Sequence, residues 1–214
     1  MRYMDFHTHV LFGIDHGVKE EGTYERLISE YGKAGFSVVA LTPHIYHPDV
    51  HTNTGSIRGN FAKAEEIASR YGVKVVLGSE LYIDSQLDVR SLPVAGRFAL
   101  CEFPPDRKPA GLEAKLGRLA SSGLVPVIAH VERYRWLSPE GLRIFADCGA
   151  LVQVNVAHVE DNTARKYLDS GLVDLIASDN HGDASLPMRL RNALDDNYDV
   201  LCRMQGIIDE ITGE

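Results

Sequence analysis

Seven short runs of apolar residues recur along the chain, separated by segments with helical spacing. The run Val125-Pro126-Val127-Ile128-Ala129 is continuously apolar, a pattern typical of strands that are buried on both faces of a parallel sheet. Because helical segments lie between the runs, the pattern predicts an α/β fold with parallel strands. The predicted strands are residues 2–6, 37–41, 74–77, 98–102, 126–129, 151–154 and 175–177.

Between the runs, apolar side chains recur at spacings of three and four residues, the period of an amphipathic helix. Leu112, Leu116 and Leu119 form one such stripe, and residues 57–71 carry another. A glycine marks five of the helix-to-strand joints, where the residue after a helix commonly takes positive φ. These glycines are Gly35, Gly72, Gly123, Gly149 and Gly171.

Side chains of metal-ligand type close these runs. Asp5-Phe6-His7-Thr8-His9 closes the first run, and Ser178-Asp179-Asn180-His181 follows the last. His7 and His9, at positions i and i+2 of a strand, face the same way and can bind one ion. Single residues end other runs, and a carboxylate in such a place needs a partner. These further residues are His44, Glu80, Glu102 and His130.

The placement of these residues favours a barrel. Ligands of one metal cluster must converge, and the carboxyl ends of the strands of an α/β barrel meet at one face. A doubly wound sheet is the alternative, but it would struggle to bring ligands from every strand to one point. At 214 residues and 44% hydrophobic, the chain can bury one substantial core, so we expect a single domain over residues 1–214.

The mixture of imidazole and carboxylate ligands predicts a catalytic metal site. Such ligands suit Mn, Fe or Zn, whereas a structural Zn site would prefer cysteine. Clustered divalent ions, ~3.5–4 Å apart, clamp phosphoryl oxygens and generate a hydroxide nucleophile. Phosphoester hydrolysis is therefore predicted ahead of amide hydrolysis.

Net charge and cysteine content indicate which partners and which cellular compartment to expect. A net charge of −8 gives no electrostatic support to a nucleic-acid or anionic-membrane partner. The three cysteines are odd in number and form no CxxC pair, which predicts reduced thiols and a cytoplasmic location. The N-terminal residues lack the apolar stretch of a signal peptide, and no run approaches the length of a membrane span.

The motifs occur in an order that resembles the PHP (polymerase and histidinol phosphatase) superfamily. Within it, the chain is most similar to the metal-dependent bacterial protein-tyrosine phosphatases of capsule and exopolysaccharide loci, over residues 3–181. The motifs are Asp-x-His-x-His at residue 5, Ile14-Asp15-His16-Gly17, Thr42-Pro43-His44, Gly78-Ser79-Glu80, Glu102-Phe103, His130-Val131-Glu132-Arg133-Tyr134, Gln153-Val154-Asn155 and Ala177-Ser178-Asp179-Asn180-His181.

The resemblance implies a distorted seven-stranded (β/α)7 TIM-like barrel that holds two or three divalent ions, with Mn favoured and Fe or Zn as alternatives. Four residues would bind the first ion: His7, His9, Glu80 and Asp179. Glu80 would bridge to a second ion, shared with Glu102 and His130. His44 and His181 would hold the third.

The resemblance also implies that Arg133 lies beside the phosphate and stabilises developing charge; a structural salt bridge with Glu132 is the alternative. The family usually has Asp-Asp-Gly where this chain has Asp15-His16-Gly17, so His16 is a candidate ligand and Asp15 a candidate catalytic residue. Close relatives carry an arginine about five residues after the last motif, and here Arg189 or Arg191 would have to bind the phosphate in its place.

Other candidates are weaker. Asn155 is expected to orient the site or bind substrate, and His158 to be either a pocket residue or a helix cap. His47 and His51 fall in a polar loop over residues 44–56 and are expected to be solvated. Cys101 and Arg107 have the Cys-x5-Arg spacing of cysteine-dependent phosphatases, but two prolines and two carboxylates between them disfavour a phosphate loop.

Three functions remain open. The first is a protein-tyrosine phosphatase in exopolysaccharide or capsule regulation, with a phosphotyrosine protein, such as a tyrosine kinase, as partner. The second is a small-molecule phosphatase such as histidinol-phosphate phosphatase. The third is a metal-binding regulatory module whose catalysis has lapsed. The apolar positions within residues 195–214 predict a helix that packs either on the barrel or on another subunit of a homo-oligomer.

Overall fold

Strands and helices alternate through residues 1–85 and 90–213, the part of the chain that the computed structural model describes. The strands are β1 Tyr3–Asp5, β2 Phe36–Leu41, β3 His44–Ile45, β4 Lys74–Leu77, β5 Glu80–Tyr82, β6 Phe98–Glu102, β7 Val125–Ile128, β8 Leu151–Asn155 and β9 Leu175–Ala177. All pairings between these strands are parallel, which confirms the predicted α/β class.

Helices connect the strands and bury their apolar stripes against the sheets. They are α1 Glu21–Lys33, α2 Ile57–Ser69, α3 Leu112–Ser121, α4 Leu142–Asp147, α5 Val156–Glu160, α6 Arg165–Leu168, α7 Leu186–Asp196 and α8 Tyr198–Thr212, with 3-10 helices at Thr54–Ser56 and Val131–Arg133. The five glycines predicted at the helix-to-strand joints all have positive φ. None of the helices in the described residues combines the length and apolar character that crossing a bilayer requires.

The strands form two sheets, with orders β1-β2-β4 and β3-β5-β6-β7-β8-β9. Each of the seven predicted runs contains a strand, but the described residues form nine strands because β2 and β4 are interrupted and resume as β3 and β5. Pro43, which has no N–H to donate, lies in the first break. Backbone hydrogen bonds still cross the breaks, from Gly78 to Leu41 and from Glu80 to Pro43.

The second break depends on a glycine. A Cβ atom on Gly78 would lie 2.4 Å from Val94 Cγ2, far inside van der Waals contact. The absence of a side chain therefore lets the segment around Val94 cover the break. Glu80 follows this break at the start of β5 and is buried.

The two ends of the strand series are joined beyond β1 and β9. Asp179 N donates to His7 O (2.9 Å), His9 N donates to Asn180 O (2.8 Å), and Thr8 and Asn180 form an isolated parallel bridge. Over the described residues the ladders nevertheless form two separate sheets and not one closed sheet. The first and last ligand segments are thereby held side by side.

Helix α8 packs within this chain, against β1 and β9. Its buried face consists of the predicted apolar positions Leu201, Met204, Ile207, Ile208 and Ile211, together with Val200. Gln205 fixes the helix to the N-terminus, since its amide accepts from Arg2 N (3.0 Å) and donates to Arg2 O (2.9 Å). Of the two packing modes left open by the sequence, the structure shows the intramolecular one.

Candidate metal centre

Eight of the nine candidate ligands come together at the carboxyl side of the parallel strands. Their nitrogen and oxygen atoms form four overlapping triads, in each of which the ligand atoms lie within 4.8 Å of one another. The triads are His9–His44–His181, His7–His9–Asp179, His7–Glu80–His130 and His44–Glu80–Glu102. Because neighbouring triads share residues, the eight side chains form one continuous cluster, as a polynuclear centre requires.

Two of these residues occupy unusual backbone conformations. His130 has φ of +31° and Asp179 has φ of +54°, in the left-handed region that non-glycine residues seldom adopt. Such conformations cost on the order of 1–3 kcal/mol and persist where the surroundings hold them, often at functional sites. Each residue lies two positions after the end of a buried strand, β7 or β9, and its side chain belongs to the cluster.

Hydrogen bonds at Nδ1 fix the tautomers of the first two histidines. His7 Nδ1 donates to Gln153 Oε1 (3.0 Å), and His9 Nδ1 donates to Asp15 Oδ2 (2.8 Å). The Nε2 lone pairs of the two rings are therefore both directed into the cluster, where the two nitrogens are 3.1 Å apart. Two lone pairs at that distance repel each other unless a cation lies between them, so this arrangement fits a bound metal ion.

The positions of the carboxylates also fit a bound metal ion. Glu80 Oε2 lies 3.3 Å from His7 Nε2, 3.1 Å from His9 Nε2 and 3.0 Å from His44 Nδ1. Glu102 Oε2 makes no hydrogen bond in the described structure, and His44 Nδ1, although close to Glu80 Oε2, is not aligned for one; burial makes such unpaired polar atoms costly. A divalent cation would satisfy both of them.

Burial and the neighbouring Glu80 charge raise the pKa of Glu102 to about 9 in the metal-free protein. Burial and the nearby Arg133 charge lower the pKa of His130 to about 4, so its imidazole is neutral near pH ~7. A neutral imidazole is the form that binds metal. The Glu102 carboxyl, by contrast, is protonated near pH ~7 because of this raised pKa, and a bound cation would favour its ionised form.

A chain of amides connects the two ends of the cluster. Gln153 accepts from His7, as described, and its Nε2 donates to Asn155 Oδ1 (2.6 Å). Asn155 Nδ2 in turn donates to Asp179 Oδ2 (3.0 Å), which also accepts from Arg133 Nη2 (2.6 Å). The end of β8 thus orients a ligand from each end of the chain, and the orienting place expected for Asn155 matches this geometry.

A cavity of about 390 Å³ opens onto the cluster. Its lining contains five of the candidate ligands, the guanidinium-bearing Arg133, and two residues of the loop after β3: His16, His44, His47, Val50, Glu102, Arg133, Asp179 and His181. A phosphate group entering this cavity would meet the ligand cluster and the Arg133 cation together.

The sequence matches the model of the capsular polysaccharide synthesis family CpsB/CapC over residues 3–199. This chain belongs to the CpsB/CapC family. The tyrosine-protein phosphatase CpsB of Streptococcus pneumoniae is 28% identical to it, over 95% of this chain and 91% of that protein. A putative tyrosine-protein phosphatase CapC of Staphylococcus aureus is 26% identical, over 90% of this chain and 82% of that protein.

The fold of the CpsB/CapC chain has a solved counterpart. The crystal structures of YwqE from Bacillus subtilis and CpsB from Streptococcus pneumoniae, metal-dependent tyrosine phosphatases, include a chain that superposes on it with a TM-score of 0.77. The alignment covers 93% of this chain and 86% of that chain at 23% identity. The family match and the shared fold together confirm the predicted resemblance.

The remaining predicted residues of this CpsB/CapC chain are placed as follows. His16 is exposed at the rim, with its ring 4.5 Å from that of His181, but it joins none of the four triads. Asp15 is buried and accepts from His9 Nδ1, from Gly17 N (2.9 Å) and from His44 N (3.1 Å). It therefore touches the cluster through the His9 ring.

The arginines differ in their surroundings. Arg133 pairs with Asp179, and Glu132, the alternative partner, accepts instead from Asn155 N (3.0 Å). Arg189 pairs with Glu160 and Asp183 and does not line the site cavity. Arg191 donates to Ala34 O (2.8 Å) and stacks over Tyr3. Tyr3 begins β1, whereas His7 and His9 follow the other end of that strand.

Other expectations about side chains are corrected or extended. His47, expected to be solvated, lines the site cavity, whereas His51 is exposed. His158 lies within α5, and its ring contacts Thr163 Oγ1 (2.8 Å) in the turn before α6; it neither lines the site cavity nor caps α6. Cys101 is buried in β6, where burial raises the pKa of its thiol, and Arg107 is exposed and pairs with Asp84. Gln153 lies in the motif Gln153-Val154-Asn155, but the sequence alone does not predict its hydrogen bond with His7.

Proposed function

We propose that this protein is a metal-dependent phosphomonoester hydrolase that acts on phosphotyrosine in proteins, within capsule or exopolysaccharide regulation. The observation that carries the proposal is the cluster of four ligand triads that opens, with Arg133, into one cavity. The family and its relatives, which are named as tyrosine-protein phosphatases, support the substrate.

The cluster would hold two or three divalent ions, with Mn favoured and Fe or Zn as alternatives. His7, His9, Glu80 and Asp179 would hold one ion; Glu80, with Glu102 and His130, would also hold a second; and His44 and His181, with His16 at the rim, would hold a third. Bound there, the ions would supply Lewis acidity and a water nucleophile of lowered pKa.

The protein's own residues would orient and neutralise the phosphoryl group. Arg133 is held by Asp179 through one guanidinium nitrogen, so its remaining N–H groups are available to a phosphoryl oxygen. Asp15 and Gln153 would keep the Nε2 lone pairs of His9 and His7 directed at the ions. Asp15 thus serves as a positioning residue in this proposal. Arg189 would contact the phosphate only after its ion pairs with Glu160 and Asp183 had broken.

The architecture belongs to the same proposal. We infer that the two sheets together form a distorted TIM-like barrel and that residues 1–214 form one domain. The hydrogen bonds across the breaks between β2 and β3 and between β4 and β5, and those joining the segments after β1 and β9, support a continuous ring of strands. A barrel would explain why side chains from both ends of the chain meet.

The partner would be a phosphotyrosine protein, with a tyrosine kinase as one candidate, and a homo-oligomer would be compatible with the fold. The free thiols at Cys101, Cys148 and Cys202 support a cytoplasmic location. A net charge of −8 disfavours nucleic acid as a partner.

The experiment that tests the function compares a phosphotyrosine peptide with histidinol phosphate, using metal-stripped protein reloaded with Mn²⁺. The proposal predicts preferential hydrolysis of the peptide, abolished by chelator and by His130→Ala. Preference for histidinol phosphate would keep the chemistry and overturn the substrate. Failure to hydrolyse either ester while metal-loaded would favour a lapsed regulatory module.

A further inference from the structure

His47 lines the site cavity without belonging to any of the four ligand triads of the described residues. It follows β3, and its side chain is 17% exposed. Its ring lies 4.9 Å from the ring of His44 and 4.9 Å from that of Tyr82, which it meets edge-on at 64°. The imidazole is therefore held between a candidate ligand and an aromatic wall.

The tautomer of His47 follows from its backbone neighbour. Asp49 N donates a hydrogen bond to His47 Nδ1 (3.1 Å), so Nδ1 carries the lone pair. In a neutral imidazole the proton must then be on Nε2. This Nε2 lies 3.8 Å from Glu102 Oε2, which is beyond hydrogen-bonding distance. Among the described residues the N–H group has no acceptor and is directed toward the mouth of the cluster.

The backbone before His47 is strained in a way that sets this position. Tyr46 has φ of +60° although it is a bulky residue, and its side chain is 60% exposed. Because Tyr46 is exposed, its own packing does not account for this conformation. The turn at Tyr46 instead sets the position of the next residue, His47. Strain of this kind is typical of sites that hold a functional group in position.

Phosphate would need such a donor in this cavity. Among the described residues that line the cavity, Arg133 is the one permanent cation, and it already uses one nitrogen on Asp179. We propose that His47 donates a hydrogen bond from Nε2–H to a non-bridging oxygen of the bound phosphoryl group and shares with Arg133 the recognition of that group. This inference rests on the proposed function, because it assigns a residue to the same substrate site.

The test compares His47→Ala and His47→Gln with wild type, and uses His51→Ala as the matched control. His51 is an exposed histidine of the same loop. Each Mn-loaded protein is titrated with inorganic phosphate by calorimetry, its Mn content is measured, and the KM and kcat for a phosphotyrosine peptide are determined. Phosphate binding is read without turnover, so the inference is testable even if the peptide is not hydrolysed.

We expect His47→Ala to weaken phosphate binding and to raise KM by about tenfold, the value of one hydrogen bond to a charged group. His47→Gln should recover part of the loss, because its amide can donate, and His51→Ala should match wild type. Unchanged phosphate affinity in His47→Ala would overturn the proposal. Loss of Mn in that variant would overturn it also, by making His47 a ligand. An inactive wild type that still binds phosphate through His47 would refute only the proposed function.

Discussion

Single hydrogen bonds determine what each residue of the cluster can do. A histidine presents a lone pair to a metal only if its other nitrogen carries the proton, and here three acceptors settle that choice. Gln153 accepts from His7, Asp15 accepts from His9, and the carbonyl of Asp179 accepts from His181 Nδ1 (2.9 Å). None of the three acceptor atoms is itself one of the candidate ligand atoms, yet they decide whether the cluster can bind metal.

Replacement of Asp15 should therefore weaken metal binding without removing a ligand. Asp15→Ala leaves His9 Nδ1 without its acceptor, and we expect Mn²⁺ affinity to fall by about 10–100-fold. Asp15→Asn should lose less, because an amide oxygen can still accept. Competition with a fluorescent chelator measures both. Equal affinity in wild type and Asp15→Ala would show that the bond does not position His9.

Arg133 is predicted to act on the transition state. Arg133→Ala should lower kcat/KM for a phosphotyrosine peptide by about 10²–10³-fold, since it removes a preorganised donor to the phosphoryl oxygens. Arg135→Ala is the control, because Arg135 is exposed and pairs with Asp106 on the surface. Steady-state kinetics give kcat/KM for both variants. A similar fall in kcat/KM in both would indicate a general effect of removing positive charge.

At the scale of elements, the breaks in β2 and β4 matter most. Gly78 lies in the second break, against Val94, and α2 carries Gly59 with no atom within 4 Å of its missing Cβ. A methyl group added at Gly78 would overlap Val94, whereas one added at Gly59 would meet no other atom. The two glycines therefore separate the effect of steric overlap from that of backbone freedom.

Gly78→Ala is expected to destabilise the fold by about 1–3 kcal/mol through overpacking, whereas Gly59→Ala should stabilise it by about 0.5–1 kcal/mol as an exposed helical position. Urea unfolding of the metal-loaded protein measures both free energies. If the Gly78 variant proves as stable as wild type, the close contact with Val94 does not fix the break.

Elements were more predictable than their junctions. The runs at residues 74–77, 98–102 and 175–177 coincide with β4, β6 and β9 because an apolar run reports burial locally. The continuation of β2 and β4 into β3 and β5 was missed, since strand ladders across a break depend on backbone pairing with distant segments. The same limit hid His47, whose role depends on the backbone N–H of Asp49.

At the scale of the molecule, the buried cluster lowers the free energy of unfolding until metal binds. The pKa of Glu102 is raised from its usual range to about 9 by burial and by Glu80. A raised folded-state pKa gives stability that is full below the unfolded pKa and is lost as pH rises toward about 9. That candidate ligands would come together was predictable from their place at strand ends, but the effect of Glu80 on the Glu102 pKa depends on distances that the sequence does not give.

Glu102→Gln mimics the protonated carboxyl at every pH. In metal-stripped protein, its thermal stability relative to wild type should increase as pH rises from about 6 to about 8.5. On addition of Mn²⁺ the order should reverse, because the variant has lost a ligand. Thermal melts at both pH values test this, and a stability difference that does not change with pH would show that Glu102 has an ordinary pKa.

The central claim is that eight side chains form one polynuclear metal centre that hydrolyses phosphotyrosine. The most direct measurement is phosphate release from a phosphotyrosine peptide by metal-stripped protein, titrated with Mn²⁺ in known equivalents. We predict no release without metal, and a rate that rises until two or three equivalents are bound. Full activity in the stripped protein, or saturation at one equivalent, would contradict the account.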